Sequence, residues 1–203
     1  MKSYFAPLDA VRFLAAYWVM SFHYFLQYND TITWYRYGDL GVQLFFIISG
    51  FVIVQSLKGK TLREFALGRF IRLFPLFWIL CTITYLITII VPDSNPVQLN
   101  DYLLSMTMLG DKFDPIVGYV RLVDAAYWTL AVELIFYVAI ALFVAFFSFK
   151  NLRYFFLAWL IISIIAFMTH MDKDHFVKLL LVRHASYFIF GGALALIIMG
   201  EGK

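Results

Sequence analysis

The chain has 203 residues, of which 63% are hydrophobic and 14% charged, whereas a soluble domain is about half apolar and about a quarter charged. A soluble core could not bury this much apolar surface, so we expect a membrane protein in contact with the lipid bilayer. The net charge of +3 is too small for the dense basic face of a nucleic-acid-binding domain. The single cysteine, Cys81, excludes an intrachain disulfide and a cysteine-rich zinc site.

Apolar stretches of about 20 residues predict membrane-spanning helices. Because no small-residue cleavage pattern follows the first stretch, we interpret it as a retained helix rather than a signal peptide. The stretch 99–109 is too short to span and predicts an interfacial or re-entrant piece. The sequence thus predicts an all-α polytopic bundle forming one membrane domain over residues 1–203. The six predicted spans are residues 8–27, 40–57, 73–91, 127–149, 154–170 and 179–199.

The charges of the connecting segments predict the orientation of the bundle. Short cytoplasmic loops carry an excess of lysine and arginine, and the segment between the second and third predicted spans fits this rule. It holds a single acidic residue, Glu64, against Lys58, Lys60, Arg63, Arg69 and Arg72. We therefore expect this segment, both chain termini and the basic loop 150–153 to lie on the cytoplasmic side.

Two ionisable residues, Arg12 and His23, lie in the first predicted span. Each costs about 2.5–3.5 kcal/mol in the middle of a membrane helix, so such residues usually face a bundle interior or a water-filled cavity. They are eleven residues apart, which places them on nearly the same helix face and roughly 16 Å apart along the helix axis. Arg12 would lie toward the inside and His23 toward the outside, where imidazole is a natural general base. The alternative is that both residues lie at the membrane interfaces.

A pair of arginines precedes the third predicted span. Arg69 and Arg72 are three residues apart and would share a helix face, and Pro75 predicts a kink or a helix start. Paired guanidinium groups can bind phosphate, although spacing alone favours ordinary anchoring at the cytoplasmic interface.

Glu133 lies about a turn and a half into the fourth predicted span, where a carboxylate should face inward and find a partner. Tyr137, four residues later, lies on the same face. A structural hydrogen bond or ion pair between helices is as well supported for Glu133 as a role in chemistry.

Small residues within the spans predict close helix packing. They are Ser49 and Gly50 in the second span and the pair Gly191 and Gly192 in the sixth.

Four stretches together resemble the acyltransferase-3 family of membrane acyltransferases. The first runs from Leu8 to His23 and resembles the opening motif of an arginine and a histidine eleven positions apart. The second is Gly41–Phe51, which is similar to the second-helix signature. The third is the pair Arg69 and Arg72, and the fourth runs from Trp128 through Glu133 to Tyr137. They occur in the family's order over nearly the whole chain.

The resemblance implies transfer of an acyl group, usually acetyl, from cytoplasmic acetyl-CoA to a hydroxyl of an envelope carbohydrate or related acceptor. It implies no bound cofactor or metal, and it suggests a bacterial inner membrane. His23 would act as the general base, or as a transient acyl carrier. Glu133 would orient a polar group, Arg12 would balance charge or help to hold the donor, and Arg69 and Arg72 would bind the CoA phosphates.

Two other interpretations stay open. Intramembrane Arg, His and Glu residues also occur in proton-coupled transporters, although the internal symmetry typical of many carriers is not evident here. Family members also carry more spans than the six predicted here, so we expect the chain to be the N-terminal part of such a domain. An inactive fragment or a non-catalytic subunit is the second alternative.

Overall fold

A computed structural model describes residues 6–25, 37–38, 40–91, 96–113, 119–171, 177 and 183–200. The regular secondary structure in these ranges is helical and contains no strand, which confirms the predicted all-α class. Short 3-10 turns precede two of the later helices and follow α4. The α-helices are α1 (Ala6–Phe25), α2 (Leu40–Leu57), α3 (Leu62–Ile90), α4 (Leu99–Ser105), α5 (Trp128–Phe146), α6 (Leu152–Met168) and α7 (Ala185–Ile198).

Four helical segments within the described ranges are long and apolar enough to cross a membrane: Leu40–Leu57, Leu62–Ile90, Ala125–Phe146 and Phe149–Met168. They make the chain an integral membrane protein. The other two predicted spans do not meet this measure: α1 is interrupted by charged residues, and the described part of α7 has 14 residues. The count of six spans and the sides of the termini therefore stay predictions.

The start of α3 differs from the sequence prediction. The helix begins at Leu62 rather than near residue 73, and Pro75 lies inside it. Thr61 caps the helix: its side chain accepts from the Glu64 backbone N–H at 3.3 Å, and Glu64 Oε2 accepts from the Thr61 backbone N–H at 2.9 Å. This capping box satisfies two backbone donors at the true start. Of the two interpretations of Pro75, a kink or a helix start, the helix start was wrong, and Arg63 lies on the helix instead of in a loop.

The chain divides into two compact units, one formed by Met1–Gly59 with Leu142–Lys203 and the other by Lys60–Ala141. In the first unit, α2 packs against α1 and α7, and α7 also packs against α6. The rings of Phe46 and Phe188 stack at 4.7 Å between centroids. The single-domain organisation stays a prediction.

The second unit contains α3, α4 and α5 as far as Ala141. Its core joins α3 to the segment after it through Phe77, Cys81, Val97, Met108 and Val123. Hydrogen bonds reinforce this packing, because the Trp78 indole N–H donates to the Met106 carbonyl at 2.9 Å and the Thr82 and Tyr102 hydroxyls lie 2.9 Å apart. The apolar piece 99–109, too short to span, therefore contains a short helix held against α3.

Candidate functional site

The first helix carries both ionisable residues on one continuous element. Arg12 and His23 lie within α1, whose 20 residues preserve the predicted common face. The His23 side chain is exposed near the end of the helix, and its ring makes an edge contact with Phe22 at 5.3 Å between centroids. Arg12 is half-buried. The imidazole thus lies at the surface of the described chain, whereas the guanidinium is partly enclosed by protein.

In the second unit, Glu133 and Tyr137 form a hydrogen-bonded pair on α5. The Tyr137 hydroxyl donates to Glu133 Oε1, which confirms that the two side chains share a face. Tyr137 is only 5% exposed and Glu133 is half-buried. A phenol is a good donor to a carboxylate, so the pair fixes the orientation of the Glu133 head group.

Arg69 of α3 completes this cluster. Its guanidinium carbon lies 5.8 Å from the ring centroid of Tyr137 and 5.8 Å from that of Phe65, within the range of cation–π attraction. The Arg69 Nε atom is buried and has no hydrogen-bond partner among the described residues. The guanidinium therefore contacts two aromatic rings, one from each helix, and it also interacts with the Tyr137 hydroxyl.

A groove of about 450 Å³ lies beside this cluster, between α3 and α5. On α5 its lining residues recur at helical spacing, and on α3 they cover the first half of the helix. The lining is almost entirely apolar, with Arg63 and Arg69 as its charged members. The residues are Arg63, Phe65, Ala66, Leu67, Arg69, Phe70, Leu73 and Phe74 of α3 with Leu134, Tyr137, Val138 and Ala141 of α5. Such a groove suits an elongated apolar group that ends in an anion.

Arg72 has different surroundings from Arg69, although both lie on α3. Its side chain is exposed and does not line the groove. Within this unit the structure thus joins Glu133, Tyr137 and Arg69 and leaves Arg72 at the surface.

The sequence interpretation missed Phe65 and the contact of Tyr137 with Arg69. A pattern that could have identified Phe65 is its position four residues before Arg69, which places both side chains on one face.

Comparison with known families identifies the chain. A family model described as an acyltransferase domain, that of the acyltransferase-3 family, matches residues 5–201. Comparisons with curated proteins and with solved structures found no significant match. The matched range includes Arg12, His23, Arg69, Arg72 and Glu133. The chain therefore belongs to the acyltransferase-3 family.

Proposed function

We propose that the protein is a membrane O-acyltransferase of a bacterial inner membrane. It transfers an acyl group, most simply acetyl, from cytoplasmic acyl-CoA to a hydroxyl of a cell-envelope glycan or related acceptor. The observation that carries the proposal is the match of the acyltransferase domain model to residues 5–201. Family membership supports a membrane acyltransferase in general, and the arrangement of the ionisable side chains supports the finer assignment.

The donor would bind at the basic beginning of α3. Arginine binds phosphate through paired, charge-assisted hydrogen bonds, and CoA carries several phosphate oxygens. Arg69 and Arg72 lie on the first half of α3, and Arg63 lines the adjoining groove. The predicted orientation puts this end of the helix on the cytoplasmic side, where CoA is available.

The acceptor would react at His23. The imidazole takes the proton of the acceptor hydroxyl while the hydroxyl oxygen forms a bond to the thioester carbonyl carbon. The carbon–sulfur bond then breaks, and the CoA thiolate takes the proton back from the imidazolium. The products are the O-acyl ester and free CoA, so protons and electrons balance. The exposed position of His23 at the end of α1 supports this role.

The other two predicted site residues would act on charge and orientation. Glu133, whose carboxylate is fixed by Tyr137, would partner a polar group in the reaction cavity. Arg12 would balance charge in the core of the bundle or help to hold the donor, in keeping with its half-buried position.

The test is acyl transfer by the full-length natural protein in membranes, measured by mass spectrometry of the acceptor ester after addition of acyl-CoA. Replacement His23→Ala should abolish transfer while the protein stays in the membrane at normal amounts. His170→Asn is the matched control, because His170 is exposed, lies outside the predicted site and has a φ of 57°, which asparagine tolerates. Normal transfer by His23→Ala would rule out its assigned role, and no transfer by the natural protein to any envelope acceptor would rule out the function.

A further inference from the structure

We infer that Tyr137 is a positioning residue for the proposed acyl transfer. Its ring, together with Phe65, holds the Arg69 guanidinium at the edge of the groove, and its hydroxyl holds the Glu133 carboxylate. One side chain would thus align a residue that binds the donor and a residue that serves the reaction. The inference rests on the proposed function, because the ligand assigned to Arg69 is the phosphate of the donor.

The first step concerns how Arg69 is held. A free arginine side chain samples many rotamers, and ordering it on binding a phosphate costs conformational entropy. Here the guanidinium carbon lies at the same distance, 5.8 Å, from the rings of Phe65 and Tyr137. Its buried Nε has no hydrogen-bond partner among the described residues, so Phe65 and Tyr137 hold the guanidinium through their rings and through the Tyr137 hydroxyl. Arg69 is therefore ordered before the ligand arrives.

The second step concerns how Tyr137 is itself fixed. Side chains on an α-helix lean toward its N-terminus, and this brings the Tyr137 hydroxyl to Glu133, one turn earlier. The hydrogen bond and the 5% exposure of Tyr137 together restrict rotation of the ring. The orientation of the ring that faces Arg69 therefore depends on Glu133.

The third step separates the two tasks of this side chain. The ring acts on Arg69 and hence on donor binding. The hydroxyl acts mainly on Glu133, to which it donates its hydrogen bond, and hence on the reaction after binding, although it also interacts with Arg69. Phenylalanine at position 137 keeps the ring and removes the hydroxyl, and leucine removes both. A purely structural tyrosine would affect the amount of folded protein and would not separate the two kinetic constants.

The experiment measures KM for acyl-CoA and kcat of the full-length protein for Tyr137→Phe, Tyr137→Leu and Phe65→Leu. With Tyr137→Phe we expect a kcat lowered about tenfold or more and a donor KM that rises less than it does with Tyr137→Leu. With Tyr137→Leu and Phe65→Leu we expect donor KM to rise about fivefold or more, as the loss of a partly desolvated cation–π contact implies. Phe65→Tyr should restore normal donor KM, because it returns a ring to that position.

Phe77→Leu is the matched control. Phe77 also lies on α3, but its ring meets the Tyr127 ring at 5.1 Å between centroids and does not line the groove. We expect its donor KM to change less than twofold. Equal changes in donor KM for Phe77→Leu and Tyr137→Leu would overturn the inference, as would a Tyr137→Phe enzyme with normal kcat. In either case, acyl transfer by the natural protein would still support the proposed function. A natural protein that neither transfers acyl groups nor binds CoA would overturn both.

Discussion

Gly50 of α2 lies directly against the backbone carbonyl of Phe188 on α7. A Cβ atom at Gly50 would overlap the Phe188 oxygen, and a Cβ atom at Gly191 of α7 would overlap the Ile47 oxygen on α2. The two glycines thus permit the two helices to approach backbone to backbone. Small residues serve this purpose in membrane helices, where burial from water provides little attraction between spans.

Alanine at either glycine should therefore destabilise the first unit. We expect Gly50→Ala and Gly191→Ala each to lower the free energy of unfolding by about 1–3 kcal/mol, because the helices must separate to admit the methyl group. Thermal unfolding of the purified protein in detergent measures the change.

Gly68→Ala is the matched control for these two variants. Gly68 also lies inside an α-helix, but a Cβ atom there would have nothing within 4 Å. Alanine should stabilise this position by about 0.5–1 kcal/mol, since glycine is the weaker helix former. If Gly50→Ala were tolerated as well as Gly68→Ala, the close approach of α2 and α7 would be contradicted.

The sequence predicted that these glycines allow close packing, but it did not predict which helix each one meets. Hydropathy identifies apolar segments, and helical spacing identifies a face, yet neither property names the partner of that face. The α2 helix is apolar nearly all round, as a buried membrane helix is expected to be. The sequence therefore could not predict which face of α2 packs against its neighbours. The placement of Gly50 against Phe188 and of Gly191 against Ile47 is a property of tertiary packing.

The same limit applies to the candidate site. The contact of Glu133 with Tyr137 follows from a spacing of four residues on one helix and could be predicted. The contact of Tyr137 with Arg69 joins two helices and could not be predicted. The start of α3 was predictable in principle, because Thr61 and Glu64 have the spacing of a capping box, whereas Pro75, which also predicts a helix start, lies inside the helix.

The cap of α3 provides a second prediction. Thr61→Ala removes the side chain that accepts from the Glu64 backbone N–H, and we expect it to lower the free energy of unfolding by about 0.5–2 kcal/mol. Hydrogen exchange of the first turn of α3 in detergent should increase as well. Glu64→Gln is the control, because glutamine also completes a capping box. Unchanged exchange in Thr61→Ala would show that the cap does not hold the helix start.

A buried hydrogen bond in the second unit provides a third prediction. The Ser105 hydroxyl oxygen accepts from the Val123 backbone N–H at 3.2 Å, and Ser105 is 1% exposed. Ser105→Ala leaves that buried donor unsatisfied, which should cost about 1–3 kcal/mol. Hydrogen exchange at the Val123 amide should report the loss directly.

Ser56→Ala is the comparison for this third variant. The Ser56 hydroxyl donates at 2.9 Å to the Ile53 carbonyl, three residues earlier in its own chain. Removing it deprives no buried backbone donor of a partner, so we expect a change below about 0.5 kcal/mol. Equal losses in both serine variants would contradict the structural role of the Ser105 bond.

Arg69 and Arg72 of α3 should contribute differently to donor binding. Arg69 is held between two rings, whereas Arg72 is exposed, so Arg72 must lose more freedom on binding and is more strongly screened by salt. We expect Arg69→Gln to weaken CoA binding about equally at low and high salt, and Arg72→Gln to weaken it mainly at low salt. The double variant should abolish binding, as measured by calorimetric titration of the purified full-length protein.

Arg153→Gln is the control for charge alone. Arg153 is exposed, lies in the other segment predicted to be cytoplasmic, and has its guanidinium carbon 4.7 Å from the Tyr154 ring centroid. Its loss removes the same charge. If general attraction to the basic surface alone held CoA, Arg153→Gln would weaken CoA binding as much as Arg72→Gln does. Unchanged binding in Arg153→Gln together with lost binding in the double variant would locate the donor phosphates at α3. Equal weakening in all three single variants would instead show that net charge governs binding, and the assignment of Arg69 and Arg72 would fail.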